Sequence, residues 1–240
     1  MKALKKLAVL FAAGTLLTSS LTGCKVIEKA ADEIVTSMVQ WDLDSAFLNK
    51  HNDTYLTLTD TTKEEAEEGY WAIIDLDVEN FCYYWGIIDG EYVTVEDLDP
   101  KLQDRLVTLM DTISQKVKFE VQSASAMDDS SYSVKVVLSP IDIMEQASNQ
   151  YDEETYEPLN KFWTESESLD FEAMSDEEYI DYCNQYGTII TQMVEELLPN
   201  LGYMEEESML IQVESVDDVW ETNESDILNF YDKIIFYPYE

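Results

Sequence analysis

Val117-Lys118-Phe119-Glu120-Val121-Gln122 and Tyr132-Ser133-Val134-Lys135-Val136-Val137-Leu138 decide the fold. In each run an apolar side chain returns at every second position, the period of a strand with one buried face. The polar turn Asp128-Asp129-Ser130-Ser131 lies between them and Pro140 closes the second run, so the pair reads as a β-hairpin. Upstream the period is helical. Val26, Ile27, Ala30, Ala31, Ile34, Met38 and Trp41 trace one helix, and Tyr70, Ile74, Val78, Phe81 and Trp85 trace a second over 63–85. Glu64, Glu65, Glu67 and Glu68 sit in that helix's first turns, where the macrodipole favours negative charge. Pro100 after Asp99 opens a third helix that turns Leu102, Leu106, Leu109, Met110 and Ile113 inward.

Downstream of the hairpin the order repeats, helices before strands. A short helix is expected around Tyr151 to Trp163, and Ser175-Asp176-Glu177-Glu178 is a capping box opening a long one that ends at Pro199 to Gly202. Met209, Ile211 and Val213 read as a strand, with Val216 to Trp220 as its partner. Ile227, Phe230, Tyr231, Ile234 and Ile235 fit a closing helix, the alternative being a strand over Ile234 to Tyr237. Cys82-Tyr83-Tyr84-Trp85-Gly86 is echoed by Cys183-Asn184-Gln185-Tyr186-Gly187. The expectation is an α+β fold, helices packed on antiparallel hairpins. It divides into a first α+β domain over 24–142 and either a second, similar one over 150–240 or a continuation of the first.

The chain of 240 residues carries 51 Asp and Glu against 14 Lys and Arg, a net charge of -37. That balance repels phosphate backbones, so no nucleic-acid partner is expected. One His and three Cys leave no material for a zinc cluster, and 7 Gly leave no phosphate-cradling loop. The 12% aromatic content sets the chain apart from disordered acidic tails.

The first residues hold Lys2, Lys5 and Lys6, then an apolar stretch from Leu7 to Leu17, then small residues up to Leu21-Thr22-Gly23-Cys24. This layout reads as a secretory signal over 1–23, and its end resembles the lipobox of bacterial lipoproteins. The resemblance implies cleavage before Cys24, diacylation of its sulfur, and anchoring at the extracytoplasmic face of the cell membrane. Two or three acyl chains anchor stably where one is marginal. A second resemblance rests on Tyr132-Ser133-Val134-Lys135-Val136 followed by Pro140-Ile141-Asp142, and on Val213 to Trp220 followed by Asn223 and an apolar helix. These segments are similar to small envelope lipoproteins of Gram-positive bacteria with cystatin-like or NTF2-like α+β domains of unknown function.

Candidate chemistry is thin. Asp75, Asp77 and Glu79 lie beside Tyr83, Tyr84 and Trp85, a combination that suits a sugar cleft or simply a solvated helix over an aromatic core. Asp42-Leu43-Asp44, Asp75-Leu76-Asp77 and Asp97-Leu98-Asp99 are oxygen-rich but lack the spacing of a calcium loop, so no metal or cofactor is expected. His51 reads as a helix-end residue. With Cys24 lipidated, Cys82 and Cys183 remain as a pair that a disulfide could join. The expected function is a non-enzymatic binding or interaction module for a small molecule, cell-wall component or protein, with Tyr83, Tyr84 and Trp85 as candidate ligand contacts. The alternatives are a carboxylate-dependent glycan hydrolase and a structural envelope subunit.

Overall fold

The computed structural model describes residues 16–17, 25–128, 131–171, 173–216 and 219–238. Cys24 and the lipobox residues Leu21, Thr22 and Gly23 lie outside the described residues, as do Asp129, Ser130, Asp217 and Asp218 of the turns. The fold is α+β. Eight helices are described: α1 (Lys25–Leu48), α2 (Asp53–Leu58), α3 (Lys63–Tyr84), α4 (Pro100–Ser114), α5 (Ile143–Asp152), α6 (Glu157–Ser166), α7 (Asp176–Leu197) and α8 (Glu224–Ile234). The strands β1 (Lys118–Asp128), β2 (Ser131–Ser139), β3 (Glu207–Val216) and β4 (Val219–Thr222) form an antiparallel sheet in the order β4-β3-β2-β1, with Leu16–Leu17 paired to the outer side of β4.

The chain folds into two compact units, and each is assembled from separated segments. The first takes Met1–Ile73, Val117–Pro140 and Met204–Ile234; the second takes Ile74–Lys116, Ile141–Tyr203 and Ile235–Glu240. This corrects the consecutive division at 142–150. The reason is the pairing of β2 with β3, Tyr132 opposite Val213, Val134 opposite Ile211 and Val136 opposite Met209, which joins strands from both halves of the sequence in one sheet. The echo between the two halves is not a structural repeat either. Gly86 follows the end of α3 with a φ of 66°, whereas Gly187 lies inside α7.

In the first unit the sheet is buried on one face. Tyr132, Val134, Val136, Leu138, Ile211 and Val213 point inward while Lys135 and Leu210 stay exposed, the alternation of an antiparallel sheet with one wet side. Helix α1 lays Met38, Val39, Leu43 and Phe47 into this core, and Phe230 of α8 packs its ring 5.2 Å from Phe47 and 5.6 Å from Phe119. The alternation of β1 breaks at a bulge between Val121 and Ala124. Beyond it the inward residue is Ala124, whose N–H donates to Thr36 Oγ1 of α1 at 2.8 Å. An edge-strand donor is thereby covered instead of being left for another chain.

The second unit is helical. Leu102, Leu106, Leu109, Met110 and Ile113 of α4 are buried as their spacing predicts, and Ile190, Met193 and Val194 of α7 join them in the core. A Cβ on Gly187 would lie 2.8 Å from Ile87 Cγ2 and 3.0 Å from Leu102 Cδ2, so the missing side chain allows the close approach of α7 to these residues. Both expected starts are present: Asp99 accepts from Lys101 N at 2.8 Å, and Ser175 with Glu178 forms a reciprocal capping box. The single helix expected over 151–163 is instead two, α5 and α6. Glu154 takes a left-handed φ of 52°, and Pro158 stands in the first turn of α6. The closing segment is the helix α8, with Ile235 making only an isolated parallel bridge to Ile141.

Candidate functional site

The structure separates the three aromatic residues at the end of α3. Trp85 is buried among Phe81, Tyr84 and Tyr151, with ring centroids 5.0 to 6.3 Å away. Tyr84 is half-buried and donates to the carbonyl of Pro238 at 3.1 Å. Tyr83 alone is exposed, its hydroxyl lying over Gly90, where a Cβ would meet it at 1.6 Å. Successive helix positions point about 100° apart, so three consecutive residues do not make one contact surface. Cys82 and Cys183 are buried free thiols, so the bridge that the sequence allowed is not formed. Burial, and then the nearby Glu79 carboxylate, push the Cys82 thiol up to about 12, and burial also raises that of Cys183. Neither is a ready nucleophile.

The acidic stretches resolve into separate structural tasks. Asp97 accepts from the backbone and hydroxyl of Thr94, Asp99 caps α4, and Asp77 is buried while Asp75 is exposed and Glu79 half-exposed. Asp42, read from the sequence only as part of an oxygen-rich stretch, is a buried carboxylate. It lies on the buried face of α1, accepting from the Tyr55 hydroxyl on one oxygen and from Thr222 Oγ1 on the other at 2.6 Å. Burial raises its pKa to about 6, against the opposing pull of those two hydrogen bonds. Tyr55 is held protonated by burial and by the Asp42 charge. Its place four residues after Met38, on the face that the apolar spacing of α1 turns inward, is the signal that could have found it.

His51 terminates α1 as expected, in a form the sequence did not disclose. Ser45 Oγ lies 3.0 Å from His51 Nδ1, and His51 Nε2 lies 2.8 Å from Asn49 Oδ1. Because the amide oxygen can only accept, Nε2 carries the proton and Nδ1 accepts from the serine. A serine, an imidazole and an orienting amide thus stand in one chain of hydrogen bonds. All three lie within seven residues at one helix end, where Asn49 takes a left-handed φ of 53° and Ser45 is buried. The chain of bonds fastens this reversal. Burial lowers the His51 pKa, which favours the neutral ring that the bonds require.

Among the described residues, each unit carries a concavity. In the first, a polar cleft of about 600 Å³ opens between the C-terminal part of α1 and the start of β1, lined by Gln40, Asp44, Lys50, Lys118 and Glu206 among others. In the second, a groove of about 500 Å³ lies between α6, the 167–175 connection and α7. Phe162, Leu169, Met174 and Tyr182 supply its apolar lining; Glu165, Asp170, Glu178 and Asp181 supply carboxylates. Tyr182 holds the aromatic arrangement together, with Phe162 and Phe171 each 5.0 Å away and Tyr179 stacked at 6.4 Å. Leu169, Phe171 and Met174 escaped the sequence reading because isolated apolar residues in an acidic loop have no period. Their size was the available signal.

Among the described residues no group of three or more His, Cys, Asp or Glu side chains is placed to hold a metal ion, and no helix is long and apolar enough to cross a membrane. No protein-family model and no curated protein matches the chain. The crystal structure of a candidate lipoprotein, YcdA, from Bacillus subtilis subsp. subtilis strain 168 is similar in fold, with a TM-score of 0.55 over 89% of this chain at 12% sequence identity. The chain spans 60% of the length of that protein.

Proposed function

We propose that this chain is a lipid-anchored lipoprotein of the extracytoplasmic membrane face and that its folded body is a non-enzymatic binding module. The anchor is carried by Leu21-Thr22-Gly23-Cys24 behind a cationic and apolar leader, and the fold shared with a candidate lipoprotein supports it. The one-sided antiparallel sheet under α1 also supports placing the first unit with cystatin-like or NTF2-like domains. The binding role is carried by one observation, the groove of the second unit. It leaves Leu169, with Phe171 next to it in the chain, in water among carboxylates, the pattern of an interaction surface. Nucleic acid is not among its partners, since the net charge of -37 opposes a phosphate backbone.

Cys24→Ser separates the anchor from the body. The variant is expected to leave the membrane fraction and to lose the acyl mass from its N-terminal peptide, read by cell fractionation and mass spectrometry. Membrane retention of the variant would overturn the anchor. A hydrolytic turnover of any envelope glycan, with a bell-shaped pH profile, would overturn the non-enzymatic assignment.

A further inference from the structure

The connection between α6 and α7 exposes what connections usually lack. Leu169 and Phe171 keep 41% and 47% of their surface in water. Leu169 lines the groove beside Phe162 and Tyr182, and Phe171 stands edge-on to Tyr182 at an interplanar angle of 84°. Asp170 and Asp181 border this apolar floor and form no ion pair among the described residues. Glu165 has Lys161 at 3.7 Å, with both side chains well exposed, a pair that water and salt weaken.

An apolar floor with anionic edges complements a ligand that is apolar in the middle and cationic at its sides. A second copy of this chain would set carboxylate against carboxylate. A neutral glycan could stack on Tyr182 but would leave Asp170 and Asp181 without counter-charge. The geometry points to a basic, apolar peptide segment as the occupant of this groove, with aliphatic or aromatic side chains on Tyr182 and Leu169 and ammonium or guanidinium groups at Asp170 and Asp181. Arginine or lysine over the faces of these rings would add a cation–π attraction. This inference rests on the reading of the groove as a binding surface and names what it binds.

The test is fluorescence anisotropy of the full chain in detergent micelles, with empty micelles as the blank. The probes are a labelled hexapeptide of alternating lysine and leucine, its glutamate–leucine counterpart, oligolysine and chitotriose. The lysine–leucine peptide is expected to bind at least tenfold more tightly than to Leu169→Ala/Phe171→Ala or to Asp170→Lys/Asp181→Lys, and the glutamate–leucine peptide is expected not to bind. Equal affinity of the lysine–leucine peptide for all three chains, or equal binding of oligolysine, would reduce the effect to surface charge and overturn both the inference and the binding reading of the groove. Chitotriose binding that disappears in Leu169→Ala/Phe171→Ala would keep the groove as a binding surface and overturn the basic peptide. Asp181→Asn, a mild change on an exposed helix face, keeps the question answerable if a double variant fails to fold: a loss of threefold or more supports the inference, and unchanged affinity overturns it.

Discussion

The sheet face of the first unit and the groove of the second use aromatic side chains in opposite ways. In the sheet unit Phe47, Tyr70 and Phe230 are completely buried, and Tyr132 and Trp220 meet across the buried face at 5.2 Å. In the helical unit a run of rings begins in the interior at Phe162, passes through the half-buried Tyr182 and ends at Phe171 in water. Carboxylates differ at the same two places, although the helical unit also buries one of its own, Asp77. The sheet unit takes a carboxylate, Asp42, into its core, whereas the groove carboxylates of the helical unit stay at the surface. The contrast teaches that composition does not decide which surface is available for binding. A sheet face closed by helices absorbs its rings, while a helix hairpin joined by a nine-residue connection, 167–175, presents some of them.

Phe230→Ala should give the largest effect. Its ring is fully buried and touches Phe47 and Phe119 from two elements, so truncation leaves a cavity between α8, α1 and β1. The expected loss is about 3–5 kcal/mol in denaturant unfolding. Hydrogen exchange should show the sheet amides losing protection first, while amides of α4 and α7 lose less. Uniform loss across both units would break the distinction between them.

Asp42→Asn tests the buried carboxylate. The folded pKa of about 6 lies above the ordinary 3.8, so the folded chain holds this proton more tightly than the unfolded one. The stabilisation is complete below the unfolded value and fades as pH rises from about 4 through 6, leaving ionised Asp42 a cost of roughly 3 kcal/mol at pH 7 and above. The amide stays neutral and retains an oxygen that can accept from Tyr55. The variant should therefore gain stability relative to wild type as pH rises across that window. Taking the difference between the two chains removes the repulsion among the carboxylates they share. A difference independent of pH would place the carboxylate in a wetter setting than its burial indicates.

Local order was legible wherever the determinant was local. Asp99 and Ser175 marked helix starts, the four-and-three spacing of Tyr70, Ile74, Val78 and Phe81 placed α3, and alternation placed the hairpin. What escaped depends on partners far along the chain. The pairing of β2 with β3 brings Tyr132 to Val213, and no periodicity within either strand specifies its neighbour. The bulge after Val121 coincides with a bond to Thr36, 88 residues away. Asp42 was legible as an acid but not as a buried one, because its partner Thr222 is 180 residues distant. At the groove, Tyr182 was legible as part of a helical apolar face, whereas Leu169 and Phe171 belong to a connection whose course only tertiary packing fixes.

Phe171→Ala gives the smallest of these effects and bears most directly on the comparison. The ring is 47% exposed and its named neighbour is the edge contact with Tyr182. Full burial of a Phe side chain stabilises by about 1.5–3 kcal/mol, so roughly half of that, reduced by relaxation of an exposed connection, leaves about 1 kcal/mol. Thermal and denaturant unfolding at pH 7 should give that value or less. A loss of about 3 kcal/mol or more would mean that the 167–175 connection closes the helical core in the way Phe230 closes the sheet core. The rings of the second unit would then be spent on stability, and Phe171 would no longer be available to a ligand.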